Sequence, residues 1–365
     1  MCGAVNKSDV YAVLHHPHLL SSRSGLAPLA ELLSSHSISY DVKWERLQQK
    51  SWIIGRWLRR LGNRYYQSDW NALVPWLGER RILGSIPIPG RKIVHFLWAE
   101  FARPKRTAPY QKRHAVLVGT YHATSRKQPR VFSNPQFLSK TFDWITVMSQ
   151  SQVPFFVDHG FPRDRIRVIL HGVDTAFFCP GPRKKRAPGE PLRGLLVGKT
   201  ERDHAFMADV IRKVPEGLLN MTVCTAHEQR KRYYRDVPRV HIQTWMSDEA
   251  LRDVYRSADV LIMPMHDCAA NNAILEAMAC GTPVMANCVG GVTEYLHSDC
   301  SIIMERKDTD DWVQTITRLA ETPDELERLR SAVRAWAERF DWSIIAPQFF
   351  ALYRDAFAAA GVVVP

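Results

Sequence analysis

Short apolar runs alternate with longer stretches of helical periodicity along the whole chain. In the first half, helical patterns such as residues 26–35 lie between the apolar runs. Runs rich in Val, Ile and Leu predict strands over residues 10–16, 92–98, 114–122, 144–149 and 166–172. Strands that alternate with helices predict a parallel sheet that is covered on both faces.

The same layout restarts in the second half of the chain. Strands are predicted over residues 193–198, 220–226, 239–243, 259–264 and 283–287. Helices are predicted over residues 203–214, 247–257, 273–279, 308–320, 323–339 and 344–360. The repetition of the layout, without repetition of the residues, predicts a second α/β domain.

A Pro/Gly-rich basic segment, residues 179–191, separates the two patterns and predicts a linker. The expected domains are therefore 1–178 and 192–343, with the last helix, 344–360, packing back on the first domain. We expect two Rossmann-like domains that face each other across a central cleft. In open sheets of this kind, ligands bind outside the carboxyl ends of the strands.

Charge is distributed unevenly between the halves. The net charge is +12, and residues 1–180 hold 25 Lys and Arg against 11 Asp and Glu, whereas residues 181–365 hold 24 against 26. A basic first half suits a partner with negative charge, such as an anionic membrane, a phosphorylated acceptor or nucleic acid. Solubility alone is an equally simple explanation.

The chain also gives an expectation about its compartment. No apolar run approaches the roughly 20 residues that span a bilayer, and the first residues do not read as a secretory signal. The seven cysteines are odd in number and scattered, which is typical of thiols in a reducing compartment. We therefore expect a cytoplasmic protein.

One basic stretch, residues 43–66, combines tryptophan with arginine. Trp44, Trp52 and Trp57 recur among seven Lys and Arg residues. An amphipathic helix of this composition suits an anionic membrane surface, which predicts peripheral contact at the inner membrane face. A helix packed on the sheet through its Trp side is the other interpretation, and both stay open.

The segment 271–291 carries the most specific chemistry. Asn271 or Asn272 is expected to cap a helix over 273–279, which Gly281 ends. Its first N–H groups form a site for phosphate, and Glu276, one turn in, can accept the hydroxyls of an attached ribose. These features together predict a nucleotide site. The alternative is an Ala-rich packing helix with Glu276 in solvent.

Four motifs resemble the GT-B glycosyltransferases, in particular the retaining nucleotide-sugar enzymes of glycosyltransferase family 4. The motifs are "EAMACGTPV" (276–284), "GGVTE" (290–294), "RIRVILHGVDTAFFCP" (165–180) and "LRDVYRSADVLIMP" (251–264). The resemblance implies a GT-B fold. It also implies sugar transfer from a nucleotide diphosphate sugar to the hydroxyl of a glycan, lipid-linked or small-molecule acceptor. Retention and independence from metals and other cofactors are implied in the same way.

The resemblance assigns roles to individual residues. Lys199 and Arg202 would stabilise the diphosphate leaving group, and His122 would lie beside the donor sugar. Trp245 falls in the family's base-binding loop, although a buried core role is its simpler explanation. The expected donor-binding residues are Gly25, Asp267, Asn271, Asn272, Ala273 and Glu276.

The sequence departs from the family at one position. Cys268 stands where the family has its first acid, and Asp267, one residue earlier, is the candidate replacement. The departure puts the identity of the donor sugar in doubt and leaves open a role for Asn271 or Asn272 in holding it.

Other functions remain as alternatives. A nucleotide-sugar epimerase or a phosphorylase would share the fold, and a non-catalytic nucleotide-sugar-binding protein would fit Cys268. No RNA-binding stacking motif supports nucleic acid as the partner. The spacing of His266, Cys268, Cys280 and Cys288 is unlike a zinc motif, so no metal site is expected.

Overall fold

A computed structural model describes residues 10–14, 23, 25–33, 38–39, 92–101, 115–132, 135, 138–187, 189–225, 228–244 and 246–361. The basic stretch 43–66 and Trp245 lie outside these residues, so both stay predictions. The chain divides into two units. The first contains Met1–Leu170 and Ile345–Pro365, and the second contains His171–Ile344. This division falls before the predicted linker, so residues 179–191 are part of the second unit.

The first unit contains a six-stranded parallel sheet in the order β2-β1-β3-β4-β5-β6. Each predicted strand is present, and the last is shorter than predicted because its pairing with the neighbouring strand stops at Val168. The strands are β1 (Val10–Leu14), β2 (Ile38–Ser39), β3 (Lys92–Phe96), β4 (Ala115–Tyr121), β5 (Trp144–Val147) and β6 (Ile166–Val168). The described helices before residue 170 are α1 (Ala27–Leu33), α2 (Gln128–Val131), α3 (Leu138–Thr141) and α4 (Val153–Asp158).

Aromatic rings fill the space between this sheet and its helices. Phe96 and Tyr121 both pack edge-on against Phe142, with ring centroids 5.7 and 6.0 Å apart. Buried rings of this size remove large apolar areas from water and dominate the stability of a core. Because every residue of β4 is buried, the strand is covered on both faces, as the continuous apolar run predicts.

The last helix, Trp342–Ala359, belongs to the first unit from Ile345 onwards. Its Tyr353 hydroxyl lies 2.7 Å from Nδ1 of His95, a fully buried residue of β3, and Phe349 packs on the same imidazole ring. His95 Nε2 contacts the Thr120 hydroxyl at 2.7 Å. Burial, followed by the nearby His122, lowers the pKa of His95 to about 3, so the ring is neutral. The helix is thus attached to the sheet by packing and by a buried polar chain.

The second unit contains another six-stranded parallel sheet, in the order β12-β11-β10-β7-β8-β9. This is the order of a doubly wound Rossmann fold. Its strands are β7 (Leu192–Val197), β8 (Leu219–Cys224), β9 (Val240–Gln243), β10 (Val260–Met263), β11 (Val284–Asn287) and β12 (Ile302–Met304). Its described helices are α5 (His204–Lys213), α6 (Glu228–Lys231), α7 (Asp248–Ser257), α8 (Asn272–Ala279), α9 (Val292–Tyr295), α10 (Thr309–Glu321) and α11 (Pro323–Ala337). The final helix, Trp342–Ala359, becomes α12.

Local capping explains where the helices of the second unit begin. Asp203, Ser247 and Asp308 accept backbone N–H groups in the first turns of α5, α7 and α10. Such caps satisfy donors that would otherwise lack intrahelical partners. The predicted helix over 247–257, opened by Ser247, is therefore confirmed, and so is the end of α8 before Gly281.

Candidate functional site

The strand order of the second sheet locates a crevice. The strands that follow β7 are added towards one edge of the parallel sheet, and those that follow β10 are added towards the other edge. The carboxyl ends of these two neighbouring strands therefore form the topological switch point. The loop after β7 carries Lys199 and Arg202, and the loop after β10 carries Asp267 and Asn271. The structure therefore brings together residues that are far apart in the sequence, such as Arg202 and Asn271, which are 69 positions apart.

The two loops are hydrogen-bonded to each other through their backbones. Asp203 N–H donates to Pro264 O at 2.8 Å, and His266 N–H donates to Glu201 O at 2.9 Å. Between these bonds, Arg202 and Met265 form an antiparallel bridge. Asn287 lies at the end of β11. Its Oδ1 accepts a hydrogen bond of 2.7 Å from Met265 N–H, and its Nδ2 donates one of 3.1 Å to Met265 O. The loops are thus fixed from both sides before any ligand arrives.

Helix α8 begins at this platform, with Asn271 as its N-cap. The Asn271 side-chain oxygen accepts the N–H of Ile274 at 3.4 Å, and the residue is 4% exposed. Asn272 is the first helical residue and is half-buried, while Ala273 contributes a small buried side chain. The first-turn N–H groups of a helix favour an anion. The predicted choice between two caps is therefore settled in favour of Asn271.

Arg202 joins the two loops through its guanidinium group. Its Nε donates to Val197 O at 3.0 Å, Nη1 to Thr200 O at 2.6 Å and Nη2 to Asn271 Oδ1 at 2.7 Å. Burial lowers the pKa of Arg202, but an arginine starts high enough to stay charged at neutral pH. Gly198, at φ +100°, leaves room for the guanidinium, which lies 3.0 Å from the point that a Cβ would occupy. Arg202 is therefore a fixed positive charge beside the cap of α8.

Lys199 differs from Arg202 because its side chain is exposed at the same loop. A second lysine lies at this edge. Lys307 Nζ contacts Asp203 Oδ2 at 2.5 Å, and His266 Nδ1 lies 3.4 Å from the same carboxylate. Burial opposes the charge on Asp203, but Lys307 and the N–H of Phe206 outweigh it and lower the pKa. The sequence offered no signal for Lys307, since it is 104 residues from Asp203.

Glu276 is buried one turn into α8, at 3% exposure. Its Oε2 accepts a hydrogen bond of 2.9 Å from the Tyr255 hydroxyl of α7. The alternative that places Glu276 in solvent is therefore wrong. Tyr255 was missed in the sequence, where it has only the inward position of an amphipathic helix as a signal. A carboxylate with one oxygen already oriented is well placed to accept further hydroxyl groups.

Asp267 and Cys268 lie next to the glycine pair of the predicted motif. Gly291 N–H donates to Cys268 O at 2.7 Å. At Gly290, with φ +52°, an added Cβ would lie 2.2 Å from Cys268 O and 2.5 Å from Asp267 Oδ1. The close approach that Gly290 permits is therefore made by the backbone and the Asp267 side chain of the chain itself. Burial raises the pKa of Cys268 to about 12, so a neutral thiol stands at the position of the family's first acid.

In the first unit, His122 follows β4. Its Nε2 donates to Leu97 O at 2.7 Å, because a carbonyl can only accept, and its ring stacks on Trp98 at 4.2 Å. In a neutral ring that donates from Nε2, Nδ1 is an acceptor.

Glu100 holds the backbone around His122. Its Oε1 accepts the N–H groups of His122 and, at 2.7 Å, of Ala123. Burial raises the pKa of Glu100 to about 7, although these two N–H groups favour its charged form. No motif marked Glu100 in the sequence. Gly25, predicted to face the donor, follows β1 with φ +73°, a conformation that suits glycine.

No described helix is long and apolar enough to cross a membrane. No group of three or more His, Cys, Asp or Glu residues within the described part of the chain could hold a metal ion.

Solved structures share this architecture over nearly the whole chain. HepE from Anabaena, in complex with UDP-glucose, superposes with a TM-score of 0.68 at 14% identity and covers 95% of this chain and 99% of its own. Sucrose-phosphate synthase from Thermosynechococcus elongatus gives 0.65 at 20% identity and covers 79% of both chains. The chain therefore has the GT-B fold of glycosyltransferases with two Rossmann-like domains, as predicted.

Part of the second unit matches a known family. Residues 194–322 match the family described as Glycosyl transferases group 1. The matched range begins within β7 and includes β10, α8 and the candidate residues of the loops after β7 and β10.

Curated relatives carry related names. A D-inositol 3-phosphate glycosyltransferase of Thermobispora bispora is 34% identical over 231 residues, which are 56% of this chain and 54% of the relative. The MMP alpha-(1->4)-mannosyltransferase of Mycolicibacterium hassiacum is 27% identical over 230 residues, or 59% and 54%. The chain thus spans about half the length of the curated relatives that it matches.

Proposed function

We propose that this chain is a glycosyltransferase that transfers a sugar from a nucleotide diphosphate sugar to an acceptor hydroxyl. The observation that carries the proposal is the crevice at the ends of β7 and β10. There, Arg202 bonds the N-cap of α8, and Glu276 lies buried one turn deeper. Helix N–H groups and a fixed cation suit a diphosphate, and an oriented carboxylate suits a ribose.

The proposed chemistry follows from the charge that develops during the reaction. When the glycosidic bond to the diphosphate breaks, negative charge grows on the leaving oxygen. Lys199, Arg202 and the start of α8 would stabilise that charge without a metal ion. His122 would lie beside the donor sugar, as the resemblance implies, and the proposed outcome is retention of the anomeric configuration.

Asn271 would act indirectly in this scheme. Its side-chain oxygen is occupied by Arg202 and Ile274, so it would position the cation and the helix, while Asn272 would be the amide at the ligand. Asp267, whose Oδ1 accepts Cys268 N–H at 2.8 Å, would shape the sugar pocket. Ala273 would keep the helix start narrow enough for close approach.

The decisive test is a panel of UDP-, GDP- and dTDP-sugars, assayed for release of nucleoside diphosphate with and without EDTA. We expect slow release from one donor class, unchanged by EDTA. Formation of an epimer would favour an epimerase instead, and binding without release would favour a non-catalytic binding protein. Failure to bind any donor would contradict the whole proposal.

Lys199→Ala tests the leaving-group role. Because its charge matters most as the bond breaks, turnover should fall about 100-fold while donor affinity changes little. Lys213→Ala is the matched control, since Lys213 is an exposed lysine of the same unit paired with Asp310. Normal turnover in Lys199→Ala would remove Lys199 from the mechanism.

We also propose that the basic first half brings the protein to an anionic surface on the cytoplasmic side, where a glycan, lipid-linked or small-molecule acceptor is met. Replacing Arg56, Arg59 and Arg60 together by Gln should abolish pelleting with phosphatidylglycerol vesicles. Arg212→Gln is the control. Wild-type protein that does not pellet would contradict the membrane proposal and leave the transferase proposal intact.

A further inference from the structure

A group of arginines surrounds one buried carboxylate at the amino end of β10. Asp259, at 3% exposure, lies directly before this strand. Four guanidinium groups lie within 3.8 Å of its oxygens. We call them the arginine cluster: Arg183, Arg186, Arg193 and Arg330.

Only one member of the cluster hydrogen-bonds the Asp259 carboxylate. Arg193 donates Nη2 to Oδ1 at 2.7 Å, and its Nε and backbone N–H both donate to Oδ2 at 3.0 Å. The other three approach at 3.6 to 3.8 Å, which is too long for a hydrogen bond. The Asp259 carboxylate is therefore hydrogen-bonded by Arg193, and its contact with the other three guanidinium groups is electrostatic alone.

The remaining arginines are partly satisfied by backbone carbonyls. Arg186 donates to Ala320 O and Leu319 O at the end of α10, and Arg330 donates to Ala258 O at 2.8 Å. Two nitrogens are left over. Arg183 Nη1 and Arg330 Nε are buried and have no hydrogen-bond acceptor among the described residues. A buried donor without an acceptor is destabilising, and more so when it is charged.

The charges in and around the arginine cluster also do not balance. Glu327 is the second carboxylate here, with Arg183 bonded to it and Arg330 Nε 3.4 Å away. Lys185 also acts on Glu327, and a third carboxylate, Glu190, acts on Arg193, so these five cations face three carboxylates. Burial, followed by repulsion from Arg183, lowers the pKa of Arg330 to about 10. The cluster thus holds an unbalanced positive charge in a shielded place.

We propose that the arginine cluster is a binding site for an oxyanion of the phosphate type. Forked guanidinium donors match the several acceptor oxygens of such a group. One added anion would supply acceptors to Arg183 Nη1 and Arg330 Nε and offset the surplus charge. Lys184 is 77% exposed and Arg183 is 13% exposed, so solvent reaches the rim of the cluster.

This site is separate from the donor site. The cluster lies at the amino end of β10, whereas Asp267 and Asn271 follow its carboxyl end. A strand of four residues is about 13 Å long. One phosphate therefore cannot reach both ends, and the proposal does not depend on the proposed transferase activity.

Two sources could supply this chemistry: a soluble phosphate compound or the head group of a phospholipid. Calorimetry with inorganic phosphate, at constant ionic strength, tests the first, and pelleting with phosphatidylcholine vesicles that contain phosphatidic acid tests the second. Binding in either arm that depends on Arg183 supports the site and identifies its source. Absence of Arg183-dependent binding in both arms would overturn the proposal.

The test variant is Arg183→Gln, which removes the charge but keeps a polar side chain. We expect at least a tenfold loss of affinity for phosphate. Arg212→Gln, an exposed arginine of the same unit, should bind as the wild type does. A loss of phosphate affinity in Arg202→Gln, with no change in Arg183→Gln, would place the anion at the donor site and overturn the proposal.

A measurement on the wild type avoids any folding defect of the variant. Phosphate should slow hydrogen exchange in residues 181–187 and at the middle of α11, next to Arg330. Slowing confined to the start of α8, or no slowing at any position, would contradict the site.

Discussion

The two sheets hold their candidate residues in different ways. In the second unit, the loops after β7 and β10 are joined by backbone hydrogen bonds, and an always-charged Arg202 completes the junction. In the first unit, the backbone at His122 is held by Glu100, whose pKa of about 7 leaves it between its two charge states at neutral pH. The donor side is therefore preorganised at any ordinary pH, whereas the His122 side depends on protonation.

The largest expected effect tests the preorganised side. Arg202→Gln removes a half-buried cation and frees the cap of α8, so donor turnover should fall about a thousandfold. Arg212→Gln, measured in the same release assay, should be unaffected. Nearly normal turnover in Arg202→Gln would show that the junction of the two loops is not needed.

The next effect tests the protonation-dependent side. Folding raises the pKa of Glu100 from an ordinary value of 4.5 to about 7. The contribution of Glu100 to the free energy of unfolding is therefore fully present below pH 4.5 and is lost as the pH rises through 7. The loss amounts to about 3 kcal/mol. Glu100→Gln keeps an acceptor for the two N–H groups and should remove this loss.

Thermal unfolding at pH 5 and pH 8 measures the difference. Glu100→Gln should unfold at a higher temperature than the wild type at pH 8 and at nearly the same temperature at pH 5. Asp158→Asn, an exposed carboxylate of the first unit, should leave the pH dependence unchanged. A wild-type profile that is retained in Glu100→Gln would contradict the role of Glu100.

A smaller effect tests the packing of the glycine loop on Cys268. Gly290→Ala and Gly217→Ala both place alanine at positive φ, which costs about 1 kcal/mol in each. Only Gly290 has backbone and carboxylate atoms at the Cβ position, whereas Gly217 has nothing within 4 Å. In urea unfolding, Gly290→Ala should therefore lower the free energy of unfolding by about 2 kcal/mol more than Gly217→Ala does. Equal decreases in the two variants would mean that the loop accommodates the added methyl group with no further loss of stability.

The smallest effect tests the orientation of Glu276. Tyr255→Phe deletes the hydroxyl that binds Oε2 and should weaken donor binding by up to about tenfold, since one hydrogen bond to a charged group is worth about 1.5 kcal/mol or more. Tyr233→Phe, at the surface of the same unit, is the control. Unchanged affinity in Tyr255→Phe would mean that the helix alone orients the carboxylate.

The sequence predicted the donor side better than the His122 side for a physical reason. Helix α8 is specified locally, by Asn271 before it and Gly281 after it, so a short segment contains the cap, the acid and the stop. Ten of the twelve described strands were also predicted, because they contain apolar runs, whereas the short β2 and β12 were not. What the pattern could not predict are partners brought close by folding alone.

Four examples show what was missed. Tyr255 reaches Glu276 across 21 residues, and Glu100 reaches His122 across 22. Asp259 looked like the start of a strand, although it is the centre of the arginine cluster. The segment 179–191 looked like a linker, yet Arg183 and Arg186 attach it to the second unit. In each case a polar side chain gains its role from residues that its own neighbourhood does not contain.

The most direct test of the central claim is a crystal structure of the protein with a bound nucleotide sugar. We predict that the diphosphate lies at the start of α8, against Lys199 and Arg202, and that the ribose hydroxyls donate to Glu276. A nucleotide bound at any other place, with the ends of β7 and β10 filled by the protein's own side chains, would contradict the account.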